Sequence, residues 1–105
     1  MGLSEPALEG LIAQLADELE DVTISRQDAV STYERAGSAF ARHSADALEV
    51  RLPEDIGEAA LRTPDTATMP GQPGWIRFAP RSSERHVRDR AEAWFTTAWR
   101  HAGPT

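Results

Sequence analysis

The stretch FARHSADALEVRLPEDIGEAAL, residues 40–61, decides the fold together with GWIRFAP, residues 74–80. Residues 40–43 are typical of a short strand, and LEVRL at 48–52 alternates apolar with charged side chains, as a half-buried strand does. Pro53 then begins a short helix with acidic residues in its first turn, and GWIRFA is a further strand. The two segments predict a compact α+β domain and contain no catalytic motif.

An amphipathic helix is predicted near the N-terminus, where apolar residues recur at helical spacing. Residues 22–35 allow two interpretations. The alternation in VTIS favours a strand, whereas Ser25 and Asp28 resemble a capping box that begins a helix. We favour two strands, because β-branched residues are frequent here and Gly37 suits a hairpin turn better than a helix interior.

The closing helix is predicted from about residue 84 to Ala102 by an apolar stripe at helical spacing. Residues 63–73 contain three prolines and no periodicity, which predicts a loop. The resulting order is α-β-β-β-β-α-β-α. We therefore expect one α+β domain over residues 1–105, an antiparallel sheet of about five strands with its N- and C-terminal helices packed on one face. The stripe of the closing helix comprises Val87, Ala91, Trp94, Phe95 and Ala98.

The composition excludes several chemistries. The 105 residues include no cysteine, which rules out disulfides, thiolate catalysis and sulfur-ligated metal centres. No apolar run approaches the roughly 18 residues of a membrane span. The first ten residues carry two glutamates and no basic side chain, unlike a signal peptide. We expect a cytoplasmic protein without a membrane partner.

Charge is distributed unevenly along the chain. The net charge of −6 divides into −7 over residues 1–34, −2 over 35–70 and +3 over 71–105. An acidic protein repels nucleic acid at long range, so a nucleic-acid partner is not expected. If the first and last helices lie side by side, the acidic end of the first is expected to neutralise the arginine-rich start of the last.

The strand pattern predicts one candidate binding surface. The apolar strand residues Phe40, Leu48, Val50, Leu52, Ile76 and Phe78 are expected to face the helices. Strict alternation then places five others on the uncovered face, namely His43, Glu49, Arg51, Trp75 and Arg77. A tryptophan among arginines offers a stacking platform and anion-binding forks. In the structural alternative, Trp75 packs beneath the 63–73 loop and the arginines pair with Glu49.

Two other groups of residues carry weaker signals. His43, Asp46 and Arg51 can be drawn as an acid/base group, but the spacing specifies no nucleophile or second acid. We therefore predict no catalytic residue and do not favour an enzyme. Asp17 and Asp21, four residues apart, are weak metal candidates, and a solvated acidic helix face is the favoured interpretation. No cofactor or metal is expected.

The order of elements, with ARHSADALEVRLPEDIGEAAL (41–61) and GWIRF (74–78), resembles the small actinobacterial proteins labelled luciferase-domain. That family has no established activity. The chain is more distantly similar to the MmcQ/YjbR group and to the N-terminal domain of the competence regulator TfoX. The resemblance spans roughly residues 11–102 and implies a sheet-and-helix architecture of frataxin-like arrangement.

The chain departs from the luciferase-domain pattern at one position. That pattern has a second histidine two residues from the counterpart of His43, whereas Ala41 and Ala45 stand there in this sequence. The departure argues against metal binding by this strand.

We expect a small binding or protein-interaction module that uses the uncovered sheet face around Trp75. Its partner would be a protein or a small anionic ligand. The alternative is an enzyme or small-molecule carrier with a pocket between the sheet and the 63–73 loop. A pocket lined by Trp75, Arg77 and His43 would favour the alternative, and a flat exposed face would favour the module.

Overall fold

The computed structural model describes residues 4–44, 47–81 and 85–103. These residues form three helices and six strands. In chain order the elements are α1 (Ser4–Glu18), β1 (Val22–Gln27), β2 (Val30–Arg35), β3 (Ser38–His43), β4 (Leu48–Arg51), α2 (Glu54–Ala60), β5 (Thr66–Thr68), β6 (Trp75–Phe78) and α3 (Arg85–Ala102).

The strands form one antiparallel sheet in the order β1-β2-β3-β4-β6-β5. Two tight hairpins join β1, β2 and β3. Asp28 and Ala29 have φ values of 52° and 64° in the first turn, and Ala36 and Gly37 have values of 53° and 80° in the second. Positive φ at both central residues gives the primed turns that match strand twist. The two-strand interpretation of residues 22–35 is confirmed, and the capping-box helix is wrong.

Strand β5 was not expected, since residues 63–73 were predicted to be a loop. Thr66–Thr68 pairs with the outer edge of β6, and the Asp65 carbonyl accepts a 2.9 Å hydrogen bond from the Ala79 N–H. The Thr66 hydroxyl donates to the carbonyls of Thr63 and Ala60 at 2.8 and 3.0 Å. A strand of three residues is too short to show a side-chain period in the sequence. Its formation depends on pairing with β6, which the sequence of the segment does not reveal.

The helices contribute to one core on one face of the sheet. The α3 stripe is buried as predicted. The Phe95 ring packs edge-on against the rings of Tyr33 and Phe40, with ring centres 5.2 and 5.3 Å apart. Ile12 of α1 is fully buried in the same core. Helix α2 packs on Ile76 through Gly57, where a Cβ would lie 3.9 Å from the Ile76 Cδ1. The expected α+β class, with both terminal helices against the sheet, is confirmed.

Among the described residues, the acidic end of α1 does not meet the arginine-rich start of α3, so the expected neutralisation is not found. The Trp99 indole donates a 2.8 Å hydrogen bond to the Glu20 carbonyl, so the acidic end of α1 lies beside the end of α3. Leu11 instead lies with Arg85 and Arg88 around a shallow cleft at the start of α3. The helices run in the same direction, which separates the acidic and basic ends.

Arg35 occupies the position beside the end of α3. Its guanidinium carbon lies 3.9 Å from the centre of the Trp99 ring, and its Nη1 donates a 3.0 Å hydrogen bond to the Trp99 carbonyl. Gly103 leaves room for this contact, since a Cβ there would lie 2.5 Å from Nη1. A cation at a helix C-terminus is favoured by the helix dipole.

A β-bulge shifts the faces of β3. Tyr33 pairs with Ala41, but the next residue, Glu34, pairs with Ala39, so Phe40 is the extra residue. Phe40 and Ala41 are both fully buried, and His43 is only 6% exposed on the helix side. The prediction that His43 lies on the uncovered face is therefore wrong, because strict alternation does not hold across a bulge.

None of the described helices is long and apolar enough to cross a membrane.

Candidate binding surface around Trp75

The outer face is the side of the sheet opposite the helices, and here the name refers to Arg42, Glu49, Arg51, Trp75 and Arg77. Strand register brings these residues together: Arg42 pairs with Glu49, Glu49 with Arg77, and Arg51 with Trp75. Their neighbours Leu48, Val50, Ile76 and Phe78 are buried on the helix side. Four of the five predicted site residues therefore share this face, and His43 does not.

An ion-pair chain crosses three strands of the outer face. Glu49 on β4 lies 3.1 Å from the Arg42 Nε on β3 and 3.2 Å from the Arg77 Nη1 on β6. The Glu49 side chain is 18% exposed, whereas those of Arg42 and Arg77 are 30% and 44% exposed. The carboxylate therefore lies between two more exposed guanidinium groups, and it positions both of them.

Arg42 also fixes Trp75 and the loop before β6. Its guanidinium carbon lies 4.3 Å from the centre of the Trp75 ring, within cation–π distance. Its Nη2 donates a short hydrogen bond to the Gln72 side-chain oxygen. The backbone N–H of Trp75 donates a 3.1 Å hydrogen bond to the Gln72 carbonyl. The main chain of Trp75 and the side chain of Arg42 therefore both hold the loop at Gln72. Trp75 is half-buried.

Arg51 lies beside Trp75 and donates to a neutral side chain. Its Nη2 donates a 3.2 Å hydrogen bond to the Ser38 hydroxyl. Its Cγ lies 3.6 Å from the place of a Cβ at Gly74, which has a φ of 84°. Within the described residues no carboxylate forms an ion pair with Arg51. Its charge is therefore available to an incoming anion.

The structure contains part of the alternative arrangement, in which Trp75 packs beneath the 63–73 loop and the arginines pair with Glu49. Glu49 does pair with arginines, since it forms the ion pairs with Arg42 and Arg77. Trp75 is also partly covered, through its contacts with Arg42 and the Gln72 loop. The side of the sheet opposite the helices nevertheless carries three arginines, Arg42, Arg51 and Arg77, against two glutamates, Glu34 and Glu49, on a chain whose net charge is −6. The electrostatic contrast with the rest of the protein favours an anion at this place.

A separate groove lies between α2 and the segment 68–76. It has a volume of about 330 Å³ and is open to solvent. Trp75 lines this groove, but Arg77 and His43 do not. Glu54 and Glu58 supply carboxylates to its wall. The remaining lining residues are mainly apolar and include Leu52, Pro53, Leu61, Met69, Pro73 and Ile76.

The acid/base group drawn from the sequence is not assembled. His43 lies on the helix side of the sheet, and Arg51 lies on the outer face. Asp46 lies outside the described residues. The weak metal candidates Asp17 and Asp21 line a second groove, between the end of α1 and β1. In the part of the chain that the structure describes, no group of three or more histidine, aspartate or glutamate residues could hold a metal ion.

Arg42 was missed by sequence reasoning. Counting alternation from the buried Phe40 places Arg42 toward the helices, where an arginine would need a buried partner. The run Phe40-Ala41-Arg42 contains the signal that could have corrected this, because period two cannot bury Phe40 and expose Arg42 without a bulge. The outer face therefore includes Arg42 in place of His43.

Comparison of the chain with protein-family models, with curated proteins and with solved structures found no match. The resemblance to the luciferase-domain family stays a prediction that rests on its short motifs.

Proposed function

We propose that the protein is a binding module whose outer face receives an anionic group of a partner protein or of a small ligand. The observation that carries the proposal is Arg51, a cation beside the half-exposed Trp75; the Arg51 guanidinium donates its hydrogen bond to the neutral Ser38 hydroxyl. An arginine of this kind can exchange a weak neutral contact for a charge-assisted one. Carboxylates and phosphates match its planar fork of donors.

The surroundings of Arg51 support the same proposal. Arg42 is held by Glu49 and Gln72, and it holds the Trp75 ring in turn. Side chains that are fixed before binding lose less conformational entropy when a ligand arrives. Tryptophan and arginine are also the residues that most often dominate binding energy at interfaces.

An amide-shift NMR titration tests the proposal, with a tetraglutamate peptide and ATP as separate probes. We expect a saturable response at the Trp75 indole and at the amides of Arg51 and Arg77. Arg51→Gln should weaken the response at least fivefold, while Arg62→Gln, on an exposed residue after α2, should leave it unchanged. Equal binding by Arg51→Gln, or the absence of a localised response to both probes at about millimolar concentration, would contradict the proposal.

A second candidate function is a small-molecule carrier or enzyme that uses the α2 groove. The specific observation in its favour is the groove volume of about 330 Å³, at the lower end of the range for ligand pockets. Apolar walls with Glu54 and Glu58 would suit a small apolar molecule with a cationic group. Phenethylamine is a suitable probe, and shifts at Leu61 and Met69 without shifts at Arg51 would favour this candidate over the module.

A further inference from the structure

Strand β1 leaves one edge of the sheet unpaired among the described residues. It is the first strand in the sheet order and pairs with β2 alone. Five of its six residues are exposed, and Ile24, at 48%, is one of two large hydrophobic residues that are exposed in the described part of the chain. Proteins usually protect such an edge with proline, a bulge, charge or a very short strand. Here Arg26 is the only charged residue in β1, and the strand contains no proline.

The hairpin geometry identifies the free backbone groups. Gln27 and Val30 flank a two-residue turn, which makes them a hydrogen-bonded pair. Such pairs alternate along an antiparallel ladder, so Ser25 and Thr23 also bond to β2. The N–H and C=O groups of the intervening residues, Val22, Ile24 and Arg26, accordingly point away from the sheet.

We propose that β1 pairs with β1 of a second copy of this chain, antiparallel about a two-fold axis at Ile24. In this register Ile24 lies opposite Ile24 of the second copy, and Val22 lies opposite its Arg26. The three outward-pointing residues of each strand are then hydrogen-bonded to the other strand. The exposed Ile24 side chains meet on the helix side, and the sheet continues across both copies.

Charge complementarity favours a second copy over a foreign strand. Val22 and Ile24 line the second groove, of about 650 Å³, together with Asp17 and Asp21. Among the described residues neither aspartate forms an ion pair, and neither does Arg26. Placing Arg26 opposite Val22 brings it to the acidic rim of this groove. Two-fold symmetry forms this contact between arginine and the acidic groove twice, and both the arginine and the aspartates belong to this chain.

The proposed interface does not compete with the outer face around Trp75. Three strands, β2, β3 and β4, separate β1 from β6. A dimer would present two copies of the outer face, and a partner with two anionic groups could then bind both at once.

Sedimentation velocity over a concentration series tests the proposal. Because the contact is small, we expect a dissociation constant of roughly 10 μM to 1 mM. The average mass should rise from 11.5 kDa toward twice that value. Ile24→Lys, which places a charge on the two-fold axis, should remain monomeric at every concentration. Leu61→Lys is the matched control, since Leu61 is also a large exposed hydrophobic residue but is on the α2 groove. It should dimerise like the wild type.

Amide hydrogen exchange locates the contact independently. The amides of Val22, Ile24 and Arg26 should become protected as concentration rises, whereas those of Thr23 and Ser25 should be protected at all concentrations. A wild type that remains monomeric at about 1 mM would overturn the proposal. A dimer that persists in a folded Ile24→Lys variant would overturn it as well. If the wild type remains monomeric, a strand of a different protein would be the remaining candidate partner for this edge.

Discussion

The Arg42 guanidinium lies against the Trp75 ring, 4.3 Å from its centre, although β4 separates the two strands that carry these residues. Glu49 on that intervening strand forms an ion pair with Arg42, and Gln72 accepts a hydrogen bond from it. The aromatic ring is thus held by a side chain that is itself held at two points. Our proposal for function has as its central claim that this arrangement preorganises the outer face for an anionic group.

The two tryptophans Trp94 and Trp75 should differ in their contribution to stability. Trp94 is 9% exposed and packs edge-on against the Phe78 ring at 5.0 Å. Trp94→Ala should lower the free energy of unfolding by about 3–5 kcal/mol, whereas Trp75→Ala should cost less than about 1.5 kcal/mol. Urea denaturation of both variants measures the difference. Equal losses would place Trp75 in the core and remove the basis for the outer face as a site.

The first hairpin turn should accept glycine with a gain in stability. Ala29 has a φ of 64°, a conformation that disfavours a side chain. Ala29→Gly creates the Asp-Gly pair typical of type I′ turns and should stabilise the protein by about 0.5–1 kcal/mol. Ala13→Gly is the matched control, because the same change at an exposed position of helix α1 should destabilise by a similar amount. Thermal melts distinguish the signs, and destabilisation by both changes would contradict the turn geometry.

Arg35 should stabilise the end of α3. Arg35→Gln removes the stacking on Trp99 and the charge-assisted bond to its carbonyl, and we expect a loss of about 1–2 kcal/mol. Arg62→Gln, on an exposed arginine, should change stability by less than about 0.5 kcal/mol. Denaturant titration of the two variants gives the comparison. A loss no greater for Arg35→Gln than for the control would show that the observed contact contributes little.

Metal ions should bind only weakly at the acidic end of α1. Asp17 and Asp21 lie on an open groove, and tight binding of a hard cation needs ligands that converge from several elements. Calcium or ferrous iron at about millimolar concentration should shift a few amides near residues 17–21 and barely raise the melting temperature. Isothermal titration calorimetry provides the check. Micromolar affinity with a defined stoichiometry would contradict the interpretation of these residues as a solvated helix face.

The sequence predicted the element order well wherever a side-chain period is long enough to detect. The five-residue stripe of α3 and the alternation of β4 and β6 both placed their residues correctly. Strand β5 escaped notice because three residues carry no period, and its pairing depends on β6.

The candidate site was predicted in part, and its errors have one cause. Glu49, Arg51, Trp75 and Arg77 are on strands without a bulge in the described register, so alternation assigned their face correctly. His43 follows a bulge at Phe40, which reverses the face of every later residue in β3. The bulge places Arg42 on the outer face and His43 on the helix side. Alternation counted along β3 alone cannot detect a bulge, because a bulge is defined by the pairing with the partner strand.

The most direct test of the central claim is a side-by-side amide-shift titration of the wild type and folded Trp75→Ala with tetraglutamate and with ATP. We expect the wild type to give a saturable response at Arg51, Arg77 and the indole. In Trp75→Ala the response at both arginines should be lost, because the ring that bounds the site and contacts Arg42 is gone. An unchanged response in a folded Trp75→Ala variant would show that Trp75 takes no part in binding and would contradict the account.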